Sequence, residues 1–157
     1  TLERLAAHGR QDFYFGETAS RLASFCQDHG GSLSREDLGA VQAEIQEPIQ
    51  TTYRGYTVLE APPNSTGHVL LQELNIVEHF DLGAMGFLSP AHVHTLVEAK
   101  KLAFADREAF SGDPRVIHVP ILELLSKDRA ARQAQEIDPR RAADRPVSPG
   151  EIGRAHV

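Results

Sequence analysis

Ser65 and Thr66 stand at the end of the stretch Pro62-Pro63-Asn64-Ser65-Thr66-Gly67, directly ahead of His68 and an apolar run. A turn from strand to helix is where some hydrolases expose a nucleophilic serine, so these two hydroxyls are the first candidates for chemistry. The Gly-x-Ser-x-Gly spacing of that arrangement is absent, and a hydroxyl nucleophile also needs a base in reach, His68 or another histidine. The simpler reading needs no further residue. The side-chain oxygen of Ser65 or Thr66 accepts one of the unpaired amide hydrogens of the helix that follows. Asn64-Ser65-Thr66 also fits the N-glycosylation triplet, a pattern short enough to arise by chance.

The other reactive residue types give weaker patterns. The chain has eight histidines, but His92 and His94 are two apart on a helical segment, which turns their rings about 200° from each other rather than toward one ion. Neither His-Glu-x-x-His nor Cys-x-x-Cys occurs, and no metal site is expected. Asp106 falls on an apolar stripe beside Arg107, and a carboxylate there has to be paired or hydrogen-bonded, which makes its role structural. The single cysteine, Cys26, lies at helical spacing from Ala19, Leu22 and Ala23 and reads as a small core residue.

Around these residues the pattern is mostly helical. Thr1 caps a short helix that stops at Gly9, and a second helix carries Ala19, Leu22, Ala23 and Cys26 before Gly30 and Gly31 end it. Ser34 with Asp37 three residues later forms a capping box for a third helix containing Leu38 and Val41. Residues 49–62 are rich in β-branched and aromatic side chains and are split by Arg54-Gly55, as in a hairpin with Tyr53 and Tyr56 beside its turn. Pro62 and Pro63 end the second strand. The helix after the candidate loop has Leu70, Leu74 and Val77 on one face, widened by Leu71 and Phe80. Residues 80–90 connect it to a long helix that starts at Ser89-Pro90, carries Leu96, Ala99, Ala103 and Phe110, and ends near Gly112. Asp113-Pro114 breaks the chain, residues 115–120 are short and extended, and residues 121–137 return to helix. One hairpin among five or six helices is a helix-rich α+β arrangement. Two strands alone cannot bury much surface, so the chain reads as part of a larger domain.

Composition narrows the class. In 157 residues, 22 acidic side chains against 16 basic ones give a net charge of −6, spread along the chain without the basic stripe that a phosphate backbone requires. Nucleic acid is therefore not an expected partner. No apolar run reaches the roughly 20 residues of a membrane span.

Taken in order, "FYFGETA", "TYRGYTVLEAPPNSTGHVLLQELNIVEHFDL", "EAKKLAFADR" and the Asp113-Pro114 to Val119-Pro120 spacing resemble the gamma-glutamyltranspeptidase family of N-terminal nucleophile hydrolases, from about Leu2 to Ala142. The family's loop reads approximately Pro-Pro-Pro-Ser-Ser-Gly-Gly, from which Asn64, Thr66 and His68 depart in the direction of acylase-like relatives. The resemblance implies an αββα sandwich made by an autoprocessed precursor. In that precursor a threonine freed at the start of the small subunit is both nucleophile and base. Residues 1–142 would be a partial large-subunit region, with the nucleophile downstream and the arginine that grips the glutamyl carboxylate upstream. No catalytic, substrate-binding or metal-binding residue is therefore assigned in the chain, and no cofactor is implied. The implied partners are a small gamma-glutamyl substrate of the glutathione type and the small subunit of the same precursor. Relatives include periplasmic and extracellular enzymes, and the compartment is left open. Two alternatives stand beside this reading: a related acylase or amidohydrolase, and a non-catalytic helical interaction module.

Residues 143–157 read as an exposed tail, with prolines and almost no large apolar side chain. One reverse translation of Ile152 to Val157 is ATC GGA AGA GCA CAC GTC, part of a common sequencing adapter, so residues 152–157 are read as non-native.

Overall fold

A computed structural model describes residues 1–144 and 149. The chain divides into two compact units, Thr1–Ile45 and the part from Gln46 onward.

The first unit is three helices: α1 (Leu2–Phe15), α2 (Glu17–Asp28) and α3 (Arg35–Ala40). The expected break at Gly9 is present, with φ at +62°, but helix resumes and runs on to Phe15. Thr1 occupies the N-cap position without a side-chain bond; its carbonyl alone accepts from Leu5. The second half of α1 exists because Asp12 has work to do on it. This carboxylate is almost fully buried and accepts from Arg4 Nη2 at 2.6 Å, Arg4 Nε at 3.1 Å and the Thr18 hydroxyl. The Arg4 and Thr18 bonds hold the Asp12 carboxyl well below the usual carboxylate range. Gly16 sits where a Cβ would meet Asp12 Cα at 2.7 Å, so only glycine lets α1 and α2 join here. The end of α2 is a Schellman motif. Gly30 has positive φ, its amide donates to Gln27 O at 3.1 Å, and the Gly31 amide donates to Cys26 O at 2.8 Å. Ala19 and Ala23 are buried as expected, but Leu22 is exposed and Cys26 only half-buried, because Thr18 takes the inner position next to Asp12. Ser34 and Asp37 form the expected capping box, with Leu38 buried and Val41 exposed just past the helix.

The second unit begins with the hairpin β1 (Ile49–Tyr53) and β2 (Tyr56–Glu60), antiparallel with Tyr53 opposite Tyr56. Arg54 and Gly55 both have positive φ, as a two-residue turn that matches strand twist requires. α4 (Gly67–Val77) runs through the middle of the unit, packed against both strands, α6 (Pro90–Phe110), α7 (Ile121–Leu124) and α8 (Lys127–Glu136). Ile76, Val77, Ala99, Leu102, Ala130, Ala134 and Ile137 form the apolar core, flanked by Tyr53, Phe80 and Leu82. Only the hairpin face carrying Ile49, Thr51, Tyr53 and Val58 turns toward the helices; Gln50, Thr52, Thr57 and Leu59 are exposed. The hairpin thus carries a helical layer on one face only.

The connectors hold more structure than their sequence suggested. α5 (Leu82–Met85) interrupts the segment before Ser89, capped by the Asp81 carboxylate accepting from the Ala84 amide at 3.0 Å. Ser89 caps α6 through the His92 amide at 3.1 Å, with Pro90 at the first helical position. Residues 114–116 form a turn rather than an extended piece. The Asp113 carbonyl accepts from Val116 and Ile117, and Arg115 holds the Asp113 carboxyl down at about 2. The expected last helix is two, because Ser126 stops α7 and caps α8. Arg141 to Asp144 are exposed, though Ala143 is tied back through its amide to Glu98 Oε2 at 3.2 Å. The rest of the expected tail, apart from Pro149, and the whole of the 152–157 reading lie outside the described residues. Among the described residues no helix is long and apolar enough to cross a membrane.

Candidate functional site at the turn between hairpin and central helix

The turn from β2 into α4 is drawn tight by Gly67. A Cβ at that position would lie 2.7 Å from Ala61 O and 2.7 Å from Glu60 Cβ, so the helix begins in contact with the strand that precedes it. Between them the Ser65 amide donates to Pro62 O at 3.0 Å, and Asn64, Ser65 and Thr66 stand exposed. The expected side-chain cap is largely missing. Thr66 holds the N-cap position with φ −90° and ψ 16°, away from extended geometry, and its hydroxyl makes no capping bond. Ser65 Oγ makes only a long contact, 3.4 Å, with the Gly67 amide. The close approach at Gly67 replaces the cap as the device that starts α4.

His68 does not reach back to Ser65 Oγ. Its ring is fully buried and Nε2 lies 2.6 Å from Ser111 Oγ, at the far end of α6. Burial pushes the ring below its ordinary value of 6.5 and Arg107 acts the same way, while the Ser65 backbone and Asp106 oppose them. Among the described residues no exposed serine or threonine hydroxyl is hydrogen-bonded to a histidine.

Below His68, the buried face of α4 continues with Leu71, Gln72, Asn75 and Ile76, whereas Leu70 is 43% exposed. The apolar stripe expected through Leu70 and Leu74 is thus displaced by one with a polar side chain on nearly every turn, and each makes at least one hydrogen bond. Gln72 Nε2 donates to Asp106 Oδ2 at 2.9 Å. Asn75 accepts from the Thr51 hydroxyl at 2.6 Å and donates to Leu125 O at 3.0 Å. Asp106 is fully buried and paired as expected, but with Arg129 of α8 rather than its neighbour Arg107, which turns to Glu108. Arg129 Nη2 lies 2.7 Å from Asp106 Oδ1 and Nε 3.2 Å from Oδ2, and Gln133 Nε2 adds a bond of 2.9 Å. A carboxylate surrounded by donors in this way is a strong cross-link between α4, α6 and α8.

The remaining sequence candidates take local roles. His94 Nε2 contacts Asp138 O at 2.7 Å, and His92 sits edge-on to Phe87. The stripe on α6 runs through Thr95, Glu98, Ala99, Leu102, Ala103 and Asp106, leaving Leu96 39% exposed. No group of three metal-ligating side chains occurs among the described residues. Gln72, Asn75, Arg129, Gln133 and Ser111 were not singled out by the sequence. A polar residue at every turn of an apolar helix was the available signal for the first two.

A helix with a buried polar face lies behind the hairpin and is entered through a Pro-Pro-Asn-Ser-Thr turn whose last three residues are exposed, and solved structures of N-terminal nucleophile hydrolases superpose on the chain. The Helicobacter pylori gamma-glutamyltranspeptidase does so with a TM-score of 0.82 at 30% identity, over 99% of this chain and 45% of that one. The cephalosporin acylase of Bacillus halodurans gives 0.75 at 38% identity, over 87% and 25%. The gamma-glutamyltranspeptidase family profile matches residues 1–155, and the chain belongs to that family. The glutathione hydrolase proenzyme of Escherichia coli K12 is 38% identical over 154 residues, 97% of this chain and 27% of that protein. The acylase ACY 1 proenzyme of Pseudomonas sp. V22 is 40% identical over 128 residues, 81% and 23%. The chain therefore spans about a quarter of these two curated relatives.

Proposed function

We propose that the chain is the hairpin-and-helix portion of the large-subunit region of an enzyme that cleaves gamma-glutamyl amides of the glutathione type, by hydrolysis or acyl transfer through a threonine ester. The observation that carries this reading is the collinear match of 97% of the chain to a glutathione hydrolase proenzyme. In this reading no residue of the chain attacks the substrate. A threonine at a newly freed N-terminus uses its own amine to take the hydroxyl proton, whereas Thr18, Thr51, Thr52, Thr57, Thr66 and Thr95 have nitrogens committed to amides. The chain's contribution is to hold one sheet layer and its helices in register. The Asp106–Arg129 cross-link and the Gly67 contact fix where α4 meets the strands.

A related acylase is the second reading, favoured by the 40% identity to the Pseudomonas acylase and by Asn64, Thr66 and His68 in the loop. One experiment addresses both. Residues 1–151 are expressed alone and also in place of the matching segment of the Escherichia coli proenzyme, and each is offered a chromogenic gamma-glutamyl anilide and a glutaryl anilide. Release only from the chimera, with preference for the gamma-glutamyl compound, is expected. Preference for the glutaryl compound would favour the acylase. Steady release by residues 1–151 alone, abolished by Thr1→Ala, would place the nucleophile in this chain and overturn the proposal.

A further inference from the structure

His68 joins two segments distant in sequence. On one side is the turn 61–67, with Asn64, Ser65 and Thr66 exposed, and on the other the segment leaving α6 at Ser111, 43 residues further along. The ring is fully buried, and the Ser111 hydroxyl is its recorded side-chain partner, at 2.6 Å from Nε2. Its Nδ1 is buried without a well-formed hydrogen bond. Besides the Gly67 contact and the Ser65 amide bond to Pro62 O, the turn's hydroxyls add little, since Thr66 makes no cap and Ser65 only a long one.

We propose that His68 is a pH-responsive latch: neutral, it holds the 61–67 turn against Ser111; protonated, it leaves its site and lets the turn open. The charged groups around the ring decide the direction. Arg107 of α6 faces it with a positive charge. Asp106 of α6 is the nearest negative charge, but Arg129 of α8 and the amides of Gln72 and Gln133 already occupy its oxygens. Glu60, at the end of β2, lies against Gly67 rather than being paired with the ring. An added proton therefore creates a cation away from water and beside Arg107, while the Asp106 carboxylate is already bonded to Arg129, Gln72 and Gln133. Both ring nitrogens are then donors: Ser111 accepts from one, and the Ser65 carbonyl beside Nδ1 is not well aligned with the other. Burial and Arg107 already disfavour the charged ring, so the latch is closed at neutral pH and opens below the ordinary histidine range.

The test is amide hydrogen exchange of the full chain between pH 7.5 and 5.0, corrected for intrinsic rates, with far-UV circular dichroism confirming that the helices persist. Protection at Ser65 to Val69 and at Ser111 and Gly112 should fall by up to about tenfold per pH unit as pH drops from the ordinary 6.5 toward the ring's lowered midpoint, and level off below it, as expected for one bound proton, while the core of α6 changes little. His68→Gln, which can hydrogen-bond but not titrate, should remove that pH response. Because this variant could disturb folding, the wild-type ring is also titrated by NMR, where a midpoint below 6.5 is expected. Protection that is flat with pH, a response that survives in a folded His68→Gln protein, or a ring that titrates at the ordinary value would each overturn the latch.

Discussion

Replacing Arg129 with Met should be among the most damaging single changes in the second unit. The guanidinium is 2% exposed and Asp106 not at all, and two of its nitrogens face the carboxylate, at 2.7 Å and 3.2 Å. Methionine fills much of the same space but leaves a buried anion facing the amides of Gln72 and Gln133. Breaking a buried pair from one side costs about 3–5 kcal/mol, a large part of the roughly 5–15 kcal/mol that holds a domain together. With a urea slope of about 2 kcal/mol per molar, the unfolding midpoint should fall by roughly 2 M. Gln72→Leu removes one bond to a charged acceptor and should cost less, about 1.5–3 kcal/mol. The double change Asp106→Leu with Arg129→Met removes both charges and should be less harmful than the sum of its parts, with the coupling read from a double-mutant cycle. Urea titration followed on the amide NMR signals of α4 and α8 keeps the first unit out of the measurement. If Arg129→Met costs less than about 1 kcal/mol, the pair behaves like an exposed one and the cross-link argument is wrong.

Gly67→Ala should destabilise the second unit by about 1–3 kcal/mol, since the added methyl meets backbone at 2.7 Å; an unchanged thermal midpoint would show that the turn yields freely. Ser65→Ala with Thr66→Ala should cost under about 0.5 kcal/mol, below the usual loss of a helix cap, because neither hydroxyl makes a short capping bond. A loss above 1 kcal/mol in urea would restore the cap. Asp12 has a folded-state carboxyl lowered by Arg4 and Thr18, so its stabilisation of the first unit is fully present above the ordinary 3.8 and is lost as pH falls through the lowered folded value. Carbon-detected NMR titration of the Asp12 carboxyl checks this, and a midpoint near 3.8 would remove the basis for it.

Element types were largely legible because their signals are local. The Ser34–Asp37 box, the Ser89-Pro90 start and the Arg54-Gly55 turn each act within four residues, and each stands where the sequence placed it. The faces were not. On α4 the eye follows Leu70 and Leu74, but the inward direction is set by what Asp106, Thr51 and Leu125 offer to Gln72 and Asn75 from 24 to 50 residues away. The same long-range pairing chose Arg129 over the adjacent Arg107 for Asp106. At the candidate loop, the cap predicted from residue type gave way to a steric contact at Gly67, which a one-dimensional reading of hydroxyls does not contain.

The hairpin and α4 are fastened to each other at both ends. At the turn, Gly67 rests on Glu60 and Ala61. At the other end Glu78 accepts from the Arg54 amide at 2.7 Å, the Arg54 guanidinium donates to Phe80 O at 3.0 Å, and Lys127 bridges Glu78 Oε2 and Thr52 O at 2.6 Å each. Apart from the Lys127 bridge, this fastening lies within residues 49–80, so its loops are short and cost little entropy to close. The segment is therefore suited to collapse early, as soon as Phe80 has joined the chain, and to offer α6 and α8 a surface on which to assemble. Such a nucleus sets an order of events within the second unit, strand pairing first and the buried ion pair later.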